Sequence, residues 1–318
     1  MSTFTQIDLA QLPAPSIVES LDFESIFAEM LADLQARDSN FSALVESDPA
    51  YKVLEVAAYR ELLIRQRVND AARAVMLAHA QKTDLDNLAA NFNVERLLIT
   101  PADDNAIPPV AAVYENDDAL RARAQLAFEG LTTAGSEGSY KFHGLSASGS
   151  VKDIAVAAVE FHISGGSVVI DDGINLPTPE PGMVAVTVLA HAGDGTADAG
   201  VLTAVELATN NETVRPLTDR VIVRSAEIVN YAIDATLTFY DGPSSATVLQ
   251  AALDKVNAYK EAQRKIGYDV THSGIYAALH QPGVQNVVLT SPAADVVIAD
   301  YQASYCTGVT LTNGGLGV

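Results

Sequence analysis

Between Pro49 and Gln81 the chain contains no internal proline or glycine, and that uninterrupted run limits the fold more than any other feature. Asp48-Pro49 supplies an N-cap residue followed by proline at the first helical position, where a missing N–H does no harm. Tyr51, Leu54, Ala58, Leu62, Arg65, Asn69, Ala72 and Met76 then follow one another at helical spacing down one stripe, with Arg60, Arg67 and Arg73 off it. The pattern predicts a helix over residues 49–81, on the order of 45–50 Å long at about 1.5 Å per residue. A small domain needs nothing so long. Polar groups on a packed seam fix register and partner choice, so the stripe with Arg65 and Asn69 is a candidate contact between subunits. The alternative is a long core helix whose polar residues face water near its end.

The remaining chain has to be accommodated around that helix. At 318 residues there is material for about two domains, enough to bury a core without disulfide or metal staples. Forty acidic residues against nineteen basic ones give a net charge of −21. A field of that sign repels nucleic acid and anionic lipid, so neither is expected as a partner. The single Cys306 excludes an internal disulfide framework and a thiolate metal cluster. The first thirty residues carry Asp8, Glu19, Asp22, Glu24 and Glu29 and no Lys or Arg, unlike a signal peptide. The apolar runs fall far short of the roughly 20 residues that span a bilayer. These features lead to the expectation of a soluble protein made in a reducing cytoplasm, without membrane insertion. Charge is uneven: residues 1–50 hold nine acids and one base, residues 51–100 six acids and seven bases. Complementary contacts between segments or subunits would use that asymmetry; two solvated faces would also produce it.

The fold class expected is α+β: an N-terminal long-helix region followed by two small split-βαβ-type modules. Residues 1–40 read as an acidic leader, with Leu12-Pro13-Ala14-Pro15, and a helix carrying Phe23, Ile26, Phe27, Met30, Leu31 and Leu34 at three- and four-residue steps. Residues 41–100 form the long-helix region, with a shorter helix starting at Asp84. Residues 101–150 hold a proline-rich linker (Pro101, Pro108, Pro109), a helix over 117–128 and a mostly irregular glycine-rich stretch from Gly130 to Gly149. From Val151 the hydrophobic period changes to two. Strands are expected at 151–159, 167–170, 183–190, 221–224, 228–240 and 284–290, with helices at 202–208, 245–265 and 273–280. The first module covers 151–225 and carries an added hairpin at 160–182 turning at Gly165-Gly166. The second covers 226–318 and ends in a tail.

No chemistry-bearing motif survives inspection. Gly193-Asp194-Gly195 through Gly200 follows a strand and opens a helix, but the third glycine is two positions late for a dinucleotide fingerprint and no Lys follows. The same run lacks the glycine and the final Glu of a calcium loop, and reads as a glycine turn with an Asp N-cap. His79, His143, His162, His191, His272 and His280 fall in separate segments without a zinc-hydrolase spacing. Ser148 and Ser164 look like turn serines. The acid pairs Asp103-Asp104 and Asp171-Asp172 are adjacent residues of turns, whereas a glycosidase needs carboxyls across a cleft. No catalytic residue, cofactor site or metal site is therefore assigned.

Several stretches together resemble the baseplate assembly protein J family of contractile-tailed bacteriophages and phage-tail-like bacteriocins. They are Asp48-Pro49-Ala50-Tyr51-Lys52-Val53-Leu54-Glu55 through Asn69-Asp70-Ala71-Ala72-Arg73; Asp118-Ala119-Leu120-Arg121-Ala122-Arg123 with residues 140–146; Val214-Arg215-Pro216-Leu217-Thr218-Asp219; and Gly267-Tyr268-Asp269-Val270 with Pro282-Gly283-Val284. Residues 160–182 look longer than the corresponding family segment. The resemblance implies a structural wedge subunit, first in the host cytoplasm and then in the tail baseplate. Two copies would join one smaller wedge protein through a three-helix bundle, and six wedges would close a ring around the hub, linking it to the sheath. It places the bundle helix at 49–81 and the ring contacts after Val151. Arg65 and Asn69 would set register in the bundle. Arg215 and Asp219 would make ionic contacts, either between subunits or within one domain around the Pro216 turn. The rivals are a tail-associated cell-wall hydrolase and a soluble assembly adaptor absent from the particle.

Overall fold

The computed structural model describes residues 7, 9, 12, 13, 15–132, 135–171, 174–242 and 244–317, without the side chain of Asp171. It divides into two units, Met1–Glu95 and Arg96–Val318.

The first unit is helical: α1 (Phe23–Arg37), α2 (Pro49–Ala74) and α3 (Lys82–Ala90). Asp22 caps α1 by accepting from the Ser25 backbone N–H at 2.9 Å. Asp48 stands at the N-cap position of α2, but its carboxylate turns back to the Val45 N–H at 2.9 Å. The long helix is shorter than its periodicity predicts, 26 residues ending at Ala74 rather than Gln81. Beyond Val75 the chain turns, with Met76 N–H donating to Arg73 C=O and His79 and Ala80 N–H to Met76 C=O. That reversal buries Ala80, and α3 then buries Leu85 and Ala89. Tertiary burial decides the helix end, and local propensity does not register it.

The second unit contains β1 (Leu98–Thr100), β2 (Val113–Tyr114), α4 (Asp117–Leu126), α5 (Glu137–Ala147), β3 (Val151–Ala158), β4 (Glu160–Ser164), β5 (Ser167–Asp171), β6 (Met183–Ala190), α6 (Ala199–Thr209), β7 (Arg220–Ser225), β8 (Glu227–Phe239), α7 (Ser245–Gln263), α8 (His272–Leu279), β9 (Val284–Ser291) and β10 (Gln302–Leu316). The proline-rich segment after Thr100 is a loop inside this unit, bounded by the β1–β2 pair and bridged at Asp103 and Val110.

The first sheet has the order β3-β6-β7, antiparallel then parallel, with α6 as the crossover between its parallel strands. All eight residues of β6 are buried. Val184, Val186 and Val188 face Tyr140 of α5 and Val201 and Val205 of α6. On the opposite face Met183 and Ala185 meet Val159, Leu176 and Ile170. The glycine-rich stretch is not irregular throughout, because it contains α5. Glycine is needed inside that helix: a Cβ on Gly144 would collide with Ile154 Cδ1, so the close approach of α5 to β3 depends on its absence. The β4–β5 hairpin turns at Gly165-Gly166, both at positive φ.

The second sheet has the order β10-β8-β9. Tyr231, Ile233, Ala235, Leu237 and Phe239 alternate inward from β8 against Val248, Ala252 and Val256 of α7 and Ile275 and Leu279 of α8. The β8–helix–β9 connection is antiparallel, and the parallel partner of β8 is β10. The segment expected as a tail is thus a 15-residue strand.

Two polar devices fix this unit. Arg123 and Glu115 are both buried; the guanidinium Nη2 and Nε donate to the two carboxylate oxygens, while Glu115 Oε1 also accepts from Leu97 N–H at 2.9 Å. Arg96 joins them by donating to Glu115 C=O at 2.8 Å and to Asp117 at 2.7 Å. The second device joins the two modules. Asp153 of β3 accepts from Ile266 N–H and Ile154 N–H, both at 2.9 Å. Burial holds its carboxyl above the usual carboxylate range, against the opposing pull of those two backbone donors. Arg224 donates to Ile174 C=O at 2.6 Å, Asn175 C=O at 2.8 Å and Thr187 Oγ1 at 3.0 Å, and lies over the Tyr301 ring. Leu189, Ala226, Ile266 and Ala303 form the apolar part of the same seam.

Arg123→Ala leaves a carboxylate buried without its cation and is expected to lower the unfolding free energy by about 3–5 kcal/mol, read from the urea midpoint. A loss no larger than that of an exposed pair, below about 1 kcal/mol, would refute the buried-pair account. Asp153 retains its proton in the folded chain at pH values where the unfolded chain has lost it, so its contribution to stability is full below 3.8 and falls as pH rises through the folded pKa. The stability of wild type relative to Asp153→Asn should decline over that window and level above it; a difference that rises with pH would sink the assignment.

Candidate functional site

The sequence-predicted stripe of α2 lies against α1. Ala58 is fully buried with Ile26 and Phe27, and Tyr51, Leu54 and Leu62 frame the contact together with Phe23, Met30 and Leu31. The Phe27 and Tyr51 rings stand 4.7 Å apart, centroid to centroid. Arg65 faces three carboxylates, Glu61 at 2.5 Å, Glu19 at 3.6 Å and Glu29 at 4.0 Å. Asn69 is buried and clamps the leader backbone: its Oδ1 accepts from Glu19 N–H at 3.0 Å and its Nδ2 donates to Glu19 C=O at 2.9 Å. Ala72 and Met76 are half-buried, Met76 already past the helix end. The register-setting polar pair therefore engages segments of its own chain.

A second apolar stripe lies on the other side of the helix. Val53, Ala57, Arg60, Ile64, Val68 and Ala71 follow at three- and four-residue steps and are exposed, flanked by Val56, Leu63 and Arg67. Val53 keeps 68% and Ile64 65% of its surface. The charged residues in this set are the two arginines. Sequence reasoning passed over these positions by following the stripe that begins at Tyr51. The signal that could have found them is Val53, Val56, Ile64 and Val68: a helix apolar on two faces requires two neighbours.

Arg215 and Asp219 meet within the second unit. Arg215 Nη1 donates to the Asp219 backbone carbonyl, and the Asp219 carboxylate accepts from Tyr140 OH at 2.9 Å. Burial foremost, with the Asp219 charge in support, pushes the Tyr140 phenol well above its ordinary range, so it stays a donor. The motif stretches converge here: Arg123 donates to Ser146 Oγ at 3.3 Å, and a Cβ on Gly135 would strike Pro216. Elsewhere Asp269 Oδ1 accepts from Ile298 N–H at 2.7 Å, and Gly267 and Gly283 adopt positive φ. These residues build loops and joints.

The Gly193–Gly200 run is a turn. Gly193 and Gly195 have positive φ, Asp194 accepts from Thr196 N–H, and Asp198 caps α6 through Val201 N–H. Arg264 donates to Gly193 C=O at 2.7 Å. His272 Nε2 bonds to Pro292 C=O at 2.9 Å, His280 stands at the C-cap of α8, and burial lowers the pKa of His143 and His191. Asp103 and Asp104 are exposed; the pair Asp171-Asp172 lies outside the described side chains. Among the described residues, no group of three or more His, Cys, Asp or Glu side chains is placed to hold a metal ion, and no helix is long and apolar enough to cross a membrane.

Comparison with known proteins accounts for both ends of the chain. The Baseplate J-like N-terminal domain matches residues 46–103, and the Baseplate J-like protein C-terminal domain matches residues 231–312. With a relative 48% identical over 316 residues, 97% of this chain and 98% of that protein, these matches show that the chain belongs to the baseplate J-like family. That relative is Baseplate protein J of Escherichia phage P2. A chain in a 6-fold symmetrised cryo-EM structure of the anti-feeding prophage baseplate is 10% identical with a TM-score of 0.32, the alignment covering 92% of this chain and 53% of that one. The family membership makes the chain a structural component of a phage baseplate.

Asn69→Ala strips the Glu19 N–H and C=O of their partner. The expected loss is about 1–2 kcal/mol in the unfolding of the first unit, with faster hydrogen exchange at Glu19; unchanged exchange there would show that the clamp does not order the leader.

Proposed function

We propose that this baseplate protein is a wedge subunit. Copies of it join a smaller wedge protein, and the wedges close as a six-fold ring around the hub that couples baseplate rearrangement to sheath contraction. The observation that carries the reading is the uncovered face of α2. Exposed apolar surface of this extent on a rigid helix marks an interaction site, and the i, i+3, i+4 order of its side chains fits neighbouring helices. The stripe from Tyr51 to Met76 contributes indirectly, by fixing α1 and the leader so that the opposite face is presented in one register. The bundle then forms over Val53, Ile64 and Val68, with two copies of the chain and one of the partner. Arg60 and Arg67 supply the cations that an acidic helix partner would meet. Arg215 and Asp219 hold the second unit in shape for ring contacts, which lie after Val151. The mechanism is mechanical: packed interfaces hold one ring geometry until contact at the periphery favours another. Assembly takes place in the host cytoplasm before the subunit enters the tail, and no enzymatic step is involved.

The experiment is the mass by light scattering of the chain coexpressed with the neighbouring small tail protein. A complex of two copies and one partner is expected. Ile64→Glu, at an exposed position, should abolish it while leaving thermal unfolding of the chain unchanged. A variant that still assembles would overturn the α2 assignment, and a wild-type chain that ignores the partner would overturn the wedge reading.

A further inference from the structure

The β4–β5 hairpin leaves the first module as a pair of strands with no third: among the described residues, no other strand pairs with either of them. A two-stranded ribbon standing alone in water is marginally stable at best, so its faces show what it is built to meet. The register puts Phe161 opposite Ile170 and Ile163 opposite Val168. Opposed residues of antiparallel strands share a face, and these four make one apolar side. His162 with Val169 and Ser164 with Ser167 alternate onto the other. At its base the apolar side enters the core, where Ile170 packs against Val159, Leu176, Met183 and Ala185. Beyond Ile170 the cover stops. Phe161 keeps 49%, Ile163 73% and Val168 55% of its surface. The turn at Gly165-Gly166 stands in open space, since a Cβ on either glycine would meet nothing within 4 Å. An apolar face that runs out of a core into solvent marks a contact with another protein.

Charge identifies the kind of partner. From Asp153 through Val214 the chain has nine acidic residues and no Lys or Arg. Glu160, Asp171, Asp172 and Glu180 belong to the hairpin and the segment that returns from it. Two arginines of β7 reach that segment and are already engaged, Arg220 by Glu180 at 3.2 Å and Arg224 by the carbonyls of Ile174 and Asn175. The hairpin therefore offers an apolar face in an acidic setting. The hairpin of a second copy would bring carboxylates against carboxylates. A surface with Lys or Arg around an apolar patch complements it.

We propose that the apolar face of the β4–β5 hairpin docks onto a different protein of the baseplate, one that presents an apolar patch rimmed by Lys or Arg. Phe161, Ile163 and Val168 fill the patch, and the acids of the hairpin segment meet the rim, the usual division of an interface into apolar centre and polar edge. The contact is separate from the α2 bundle and does not rest on the wedge reading, since it needs only a second baseplate protein.

The test places photoreactive benzoylphenylalanine at position 163 of the full chain, irradiates assembled tails and identifies the cross-linked peptides by mass spectrometry. The expected product joins residue 163 to another protein, in a segment that carries Lys or Arg. That protein, once purified, should bind Glu160→Lys at least about fivefold more weakly than wild type, with the gap narrowing at high salt. Equal affinity for the two would overturn the charge assignment. Cross-linking to another copy of this chain, to the chain itself or to an acidic segment would overturn the proposal, as would tails in which residue 163 labels nothing. Hydrogen exchange on the wild type needs no substitution: residues 160–170 should be better protected in assembled tails than in the free chain, and equal protection would overturn the docking. A chain that ignores the small tail protein yet cross-links at 163 to a basic protein would overturn the wedge reading and leave this contact standing.

Discussion

The long helix α2 is apolar on two opposite faces, and the rest of the first unit follows from the need to cover them. One face is closed inside the chain by α1, through Ala58, Ile26 and Phe27. That closure is small, and it is given a single register by polar contacts rather than by area. Asn69 holds the Glu19 backbone at both its N–H and its C=O, and Arg65 gathers Glu19, Glu29 and Glu61. Exposed ion pairs contribute little energy each, but three acids around one guanidinium leave the leader few alternative positions. The acidic leader and the arginine-bearing helix thus use their charge asymmetry within the chain, one of the two outcomes the sequence allowed. Among the described residues the other face has no cover of its own.

The second unit is built to behave as one piece. Its two sheets each carry helices on one face, and neither alone would fix the angle between them. The seam does this with groups that are awkward to bury: a carboxyl held by two backbone donors at Asp153, and a guanidinium at Arg224 whose hydrogen-bond partners are all neutral oxygens. Polar groups in low dielectric are costly when any partner is missing. Small displacements of one sheet against the other would therefore break several bonds at once. A body of that kind transmits a displacement from one of its contacts to another.

Where sequence and structure agree, the physics is local. The alternation of β8 from Tyr231 to Phe239 is visible because one face is buried and the other is not, and the Gly165-Gly166 turn is visible because positive φ selects glycine. Where they differ, a distant neighbour decides. Helix α5 contains Gly138 and Gly144, which lower its intrinsic propensity, yet Gly144 lets Ile154 approach. The end of α2 is set by what α3 buries. The strand β10 is obscured by Gly308, Gly314 and Gly315, and its identity as a strand comes from pairing with β8 in parallel. The stripe on α2 was legible as a helical face, but no pattern within the helix states which neighbour will cover it. That depends on α1, twelve residues away along the chain at its nearest.

Charge limits which surfaces of several copies can meet. With forty acids and nineteen bases, any assembly of several copies concentrates negative charge, and screening over roughly 8 Å at physiological salt relieves only the more distant part of it. Contacts closer than that have to be free of carboxylates or furnished with cations. The exposed stripe of α2 carries Arg60 and Arg67 and no acid. The acids lie elsewhere, on surfaces that repel other copies. Repulsion over most of the surface disfavours random aggregation of copies. The strong net charge and the proposed assembly role are therefore compatible: under that reading the charge selects among encounters, and the cationic face of α2 is where an acidic partner helix would be met.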